Sequence, residues 1–150
     1  MSDGSPTNGR SILVRGRGSP SDAVVDAAAE RDGVSVARVD APARGADGDD
    51  DPDVVFAVGE SALLTLASTP TDRPVVPVEA GTGRYDVASE DVTAAVDAAA
   101  TGRYETVAHP IVDAAVNGEP AGAALADVTL MTSAPARISE YAVSEGDGRR

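Results

Sequence analysis

The chain has 150 residues, 42% of them hydrophobic, which is enough for one compact domain and a small appendage but not for two full domains. Much of that apolar content is alanine and valine, with one phenylalanine, Phe56, and no tryptophan, so the core must be built from small side chains. A formal net charge of −13 sets the chain against nucleic-acid backbones and anionic membrane surfaces, and the lack of cysteine excludes disulfides, thiolate metal sites and cysteine nucleophiles.

Residues 1–9, rich in Ser, Gly, Asp and Asn, are expected to be disordered and carry no hydrophobic signal core; with no apolar run long enough to span a bilayer, a cytoplasmic protein is expected. Arg10 to Gly16, "RSILVRG", reads as a short strand. In "SPSDAVVDAAAERDG" a helix is predicted, with Ser19 as cap, Pro20 at the first helical position, Asp22 three after the cap and Gly33 as the stop. Val34 to Val39 alternates apolar with polar, as a strand does.

Asp40 to Pro52 combines Gly, Pro and a run of aspartates and reads as a solvated loop; it lacks the glycine and distal glutamate spacing of a calcium loop. Asp53 to Val58, "DVVFAV", is almost continuously apolar, as a strand buried on both faces of a parallel sheet should be. Ser61 to Ser68 is a predicted short helix and Arg73 to Val78 another buried strand. After the glycine loop "EAGTGRYDV", a helix capped by Ser89 and stopped at Gly102 places Val92, Ala95, Val96, Ala99 and Ala100 on one face.

This alternation of strand and helix over residues 10–103 predicts an α/β domain: a Rossmann-like parallel sheet with helices on both faces. From Tyr104 the pattern changes. "YETVAHPIVDAAV" and "AGAALADVTLMTS" flank Asn117-Gly118, a strong hairpin signal, so residues 104–150 read as the start of a β-rich second domain.

Open parallel sheets bind ligands beyond the carboxyl ends of their strands, and three loops qualify here: Gly16–Pro20, Val58–Ala62 and Glu79–Tyr85. The first offers small residues and backbone N–H groups at a helix start, which suits a phosphate. In the second, Glu60 follows a buried strand and a glycine, so its carboxylate can project into the crevice as a proton acceptor; the alternative is that it only complements a helix N-terminus. His109, the single histidine, makes neither a metal site nor a triad by itself. The hydroxyls of "STPTD" are explained by a helix end entering a strand. Arg84 and Arg103 suit either an anion or solvent.

The order of these features resembles the amino-terminal part of the NAD kinase family, whose members carry Gly-Gly-Asp-Gly-Thr and two leucines after a buried strand. The matching stretch is Val58-Gly59-Glu60-Ser61-Ala62 followed by Leu63 and Leu64. "GTGRY" is similar to the family's glycine loop, with Gly83 at the glycine; His109-Pro110 stand at its Arg-Pro; Ala126-Asp127 in "AALADVTL" stand at its Asn-Glu/Asp; and "PARISEYAV" resembles the following strand. The likeness runs from about Arg10 to Val143 and has the form of a divergent, shortened relative of salt-adapted archaeal type.

The resemblance implies ATP-dependent phosphoryl transfer to the 2′-hydroxyl of the adenosine ribose of NAD, giving NADP, with magnesium accompanying the nucleotide. It implies Glu60 as catalytic base, Gly59, Ser61 and Gly83 against the dinucleotide, and Asp127 on its hydroxyls or base. Glu in place of Asp moves the carboxylate by on the order of 1 Å, a displacement that can lower a rate about a hundredfold. Val58 and Ser61 add side chains where the family has glycine, and Ala126 lacks the bonds of an asparagine. The family's Thr-Pro-Thr-Gly-Ser-Thr segment does not follow Val143, which implies an inactive short form or a homo-oligomer or partner that supplies the second domain. The alternative function is a non-catalytic dinucleotide-binding or assembly domain that keeps only the fold.

All twelve basic residues are arginine, and this acidic, lysine-free composition resembles that of proteins kept soluble by concentrated salt. At molar ionic strength the Debye length falls to roughly 3 Å, so self-repulsion weakens. The melting temperature is therefore expected to rise steeply from dilute buffer to molar KCl; a thermal scan that is flat across that range would overturn this.

Overall fold

The computed structural model describes residues 9–39, 51–69, 71–81 and 85–125. Its first unit is a four-stranded, fully parallel sheet: β1 (Arg10–Arg15), β2 (Val34–Val39), β3 (Val54–Val58) and β4 (Val75–Val78), in the order β2-β1-β3-β4. Three helices cover it: α1 (Ser19–Ala29), α2 (Glu60–Ser68) and α3 (Val92–Thr101).

Strand alternation divides the core in two. Ile12 and Val14 of β1, Val54, Phe56 and Val58 of β3, and Val78 of β4 pack with Val24, Ala27 and Ala28 of α1 and Val92, Val96 and Ala99 of α3. The intervening residues Leu13, Val55, Ala57 and Val75 meet Ala62, Leu63 and Leu66 of α2 on the other face. All five residues of β3 are buried, which explains why its sequence is an unbroken apolar run. The Rossmann-like α/β arrangement with helices on both faces is therefore present. Alanines at the helix–sheet contacts let the helices lie close, so a core with one phenylalanine still packs.

Two helix starts differ from expectation. Gly18, not Ser19, occupies the cap of α1, with φ 86°, and no side chain bonds the first turn there. A three-residue 3-10 turn, Ser89–Asp91, precedes α3, and Ser89 does not cap it: its hydroxyl donates to Glu79 Oε1 at 2.8 Å. The carboxylate across the loop outcompetes the backbone because a charge-assisted bond is the stronger one. The expected stop at Gly102 is present, in the left-handed conformation at φ 69°.

The second unit is an antiparallel hairpin of β5 (Val112–Val116) and β6 (Glu119–Ala124). Asn117 and Gly118 both have positive φ, 53° and 84°, as a two-residue turn of the primed type demands. The hairpin lies beside α2 through β6 but buries little of itself, with Val112 44% and Val116 47% exposed. The residues from 126 onward lie outside the described residues.

One contact fixes the end of the sheet that matters for function. Gly16, directly after β1, has φ +129°, and a Cβ there would sit 2.3 Å from the carbonyl oxygen of Val58. Both the conformation and the space require glycine. Gly16→Ala is expected to destabilise the fold by about 3 kcal/mol or more, through strain and overpacking together. Denaturant unfolding in molar KCl measures it, and an unchanged midpoint would contradict the contact.

Candidate functional site

The strand order determines where a ligand can enter. The chain leaves β1 for the edge strand β2 on one side and comes back to β3 on the other, so the order reverses between β1 and β3. Arg15 is in register with Ala57, which sets the turn after β1 beside the turn after β3. The helices that follow these turns lie on opposite faces, α1 on one and α2 on the other. Two helix N-termini thus flank one crevice.

On the β3 side, Gly59 occupies the cap of α2 with φ 81°, and a Cβ there would meet nothing within 4 Å. Its N–H donates to the Val78 carbonyl at 2.8 Å, so the glycine is fastened to the sheet and leaves open space above it. Leu63 N–H makes the first bond of the helix, to Gly59 O, at 3.3 Å. The N–H groups of Glu60, Ser61 and Ala62 consequently have no intrahelical acceptor, and no side chain caps them. Val58 turns its side chain into the α1 and α3 core and is buried, so it does not obstruct the crevice.

Glu60 is the first residue of α2 and is exposed; its carboxylate makes no hydrogen bond or ion pair among the described residues. It is therefore not a capping residue in the hydrogen-bonding sense. What it has is position: a free carboxylate at the positive end of a helix, at the lip of the crevice. Ser61 is exposed beside it.

Sequence reading missed Arg15. It ends β1 on the same face as Leu13, the face that α2 covers, and its Nε is buried without a hydrogen-bond partner. A basic residue closing the apolar run "SILV" was the available signal. Such a guanidinium, in a chain with twice as many acids as bases, is placed to receive an anion.

The third loop is occupied by its own side chains. Asp86 accepts the N–H groups of Ala80 and Gly81 at 2.8 and 2.7 Å, so these donors do not face a ligand. Gly83 and Arg84 in that loop, and Ala126 and Asp127 in the second unit, lie outside the described residues. Arg103 is held by its own helix, with its guanidinium 3.0 Å from Asp97 Oδ2. His109 is exposed, its Nδ1 3.0 Å from the neighbouring Pro110 carbonyl. Of the aspartates around the acidic loop, Asp51 pairs with Arg73 and Asp53 accepts the Ser11 N–H at 2.8 Å. Among the described residues, no three His, Asp or Glu side chains gather to hold a metal ion.

No protein-family model and no curated protein sequence matches this chain. Among the described residues no helix is long and apolar enough to cross a membrane.

Because Glu60 caps nothing, Glu60→Ala is expected to lower the melting temperature only slightly, through loss of the helix-dipole term. A large drop would show that the carboxylate is structural.

Proposed function

We propose that this chain is an NAD kinase-like protein of the cytoplasm that binds NAD across the β1–β3 crevice and presents the adenosine ribose 2′-hydroxyl to Glu60. The observation that carries this reading is the occurrence, at one switch point, of a free carboxylate at the α2 N-terminus and of Arg15, whose Nε is buried without a hydrogen-bond partner. A dinucleotide needs both: cationic and N–H donors for its diphosphate, and a proton acceptor at the hydroxyl that reacts.

In the reaction, the 2′-oxygen forms a bond to the γ-phosphorus of ATP while the bond from that phosphorus to the β-phosphate oxygen breaks and ADP leaves. The hydroxyl proton passes to the Glu60 carboxylate. Arg15 and the first N–H groups of α2 offset the phosphate charge as the groups align, which is most of what phosphoryl transfer asks of a protein. The magnesium that the resemblance implies finds no cage among the described side chains, so no step is assigned to it.

A second reading, dinucleotide binding without turnover, is favoured by the hairpin. Its strands are exposed over nearly their whole length, so they supply no closed wall to exclude water from the transferring phosphoryl group.

Calorimetric titration with NAD in molar KCl, with an assay for NADP formed from ATP and magnesium, separates these readings. The kinase reading expects NAD binding, NADP formation, and loss of turnover by at least about a hundredfold in Glu60→Ala with binding retained. Arg15→Ala is expected to weaken NAD binding about tenfold or more. Binding without NADP selects the second reading. A folded protein that does not bind NAD overturns both.

A further inference from the structure

We propose that the outer edge of β5 is a self-association site, at which β5 of a second copy pairs antiparallel about a two-fold axis at Ala114 and joins two hairpins into one four-stranded sheet. This site is independent of the nucleotide crevice and of Glu60.

Among the described residues the hairpin is a sheet of two strands, and β6 is the one that lies beside α2. β5 is therefore the outer strand, and on its side away from β6 its N–H and C=O groups meet no other strand among those residues. Two strands alone are marginal in water, and further strands are what stabilise such a sheet. The two edges of the hairpin differ. β6 contains Pro120, which has no N–H to offer, Gly122 at φ 146°, and an extra residue, Ala121, where the register shifts opposite Ala114 and Ala115. These are the devices that close a sheet edge to a further strand. β5, Val112–Val116, has no proline, no glycine and no positive φ. One edge is defended and the other is open.

The residues of β5 determine what fits the open edge. In Val-Asp-Ala-Ala-Val the alternation puts Val112, Ala114 and Val116 on one face, and both valines are exposed. Pairing two copies about Ala114 sets each Val112 opposite Val116 of the other copy, Ala114 opposite Ala114, and Asp113 opposite Ala115. Both pairs of β-branched side chains form, and the two carboxylates stay diagonal to each other, each facing a small neutral residue. Moving the axis by one residue loses this. At Asp113 it sets the two aspartates directly opposite, and at Ala115 it carries Val112 past the strand end to Gly118 in the turn. The strand thus complements its own antiparallel copy in shape and in charge, and an interface made by the same patch on both subunits closes at two. Pro120 on the far edge of each hairpin stops growth beyond four strands. Molar salt screens the repulsion between two chains of net charge −13.

Sedimentation of the full chain in molar KCl, from micromolar to millimolar concentration, tests the site. A reversible rise from monomer to dimer mass is expected. Val112→Thr combined with Val116→Thr keeps branched, strand-forming side chains and removes the apolar contact; it is expected to fold and to dimerise about tenfold more weakly. Because the chain has no cysteine, single cysteines report the register. Ala114→Cys is expected to oxidise to a linked dimer, since directly opposite residues hold their Cα atoms about 5 Å apart. Asp113→Cys is expected not to, because its two copies lie more than about 7 Å apart. A chain that stays monomeric throughout, a dimer that the threonine variant leaves unchanged, or Asp113→Cys linking as readily as Ala114→Cys overturns the site. Glu60→Ala is expected to leave the dimer unchanged, so failure here and failure of the crevice reading are told apart.

Discussion

The parallel pairing of β1 with β3 is the contact on which the rest of the molecule depends. It places a strand whose two faces are both apolar at the centre of the sheet, and this forces helices onto both sides. It also brings the carboxyl ends of two non-consecutive strands together, so that two turns and two helix N-termini share one crevice. The pairing continues past the last hydrogen-bonded residue, because Gly16 can lie against the Val58 carbonyl where any other residue would push the strands apart. Fold and candidate site are thus one constraint seen at two scales.

What could be read from the sequence was whatever depends on local pattern. The apolar run Val54–Val58, the alternation Val34–Val39, the spacing of Val92, Val96 and Ala99, and the Asn117-Gly118 turn each encode their own geometry, and each forms where expected. Departures occur where a distant partner competes. Ser89 had the right chemistry for a cap, but Glu79, ten residues away in the chain, claims its hydroxyl and its N–H. Ser19 lost the cap of α1 to Gly18, whose positive φ lets the chain turn sharply out of β1. Glu79 and Asp86 fold the third loop onto itself in a way that no spacing rule foresees.

The site was legible to a similar extent and for the same reason. Glu60 could be placed because strand, glycine and helix are consecutive. Arg15 could not, since its significance comes from lying in register with Ala57, 42 residues later, and from having no partner among the described residues in an acidic chain. Nor could the sequence alone show that the carboxylates nearest the arginines of this protein are already engaged. Asp22 holds Arg38, Asp97 holds Arg31 and Arg103, and Asp51 holds Arg73. Arg15, whose Nε is buried without a hydrogen-bond partner, and the exposed Glu60 carboxylate stand at the same end of the sheet. Ion pairs on the surface contribute little individually, so what sets Arg15 and Glu60 apart is their position at one end of the sheet.

The two halves of the crevice differ in what they ask of a ligand. The α2 side carries a carboxylate that repels phosphate and accepts protons, with an arginine behind it; on the α1 side the acid of the first turn, Asp22, is paired with Arg38. A single phosphate would favour the α1 side, where no free carboxylate opposes it. A ligand that spans the crevice would instead set its diphosphate toward the α1 turn and Arg15 and leave a hydroxyl-bearing part near Glu60, where a carboxylate is an advantage. On the proposed reading this asymmetry would orient a dinucleotide across the crevice. Glu60 then has no need to cap its helix: the same exposure that makes it useless as a cap leaves it available to take a proton.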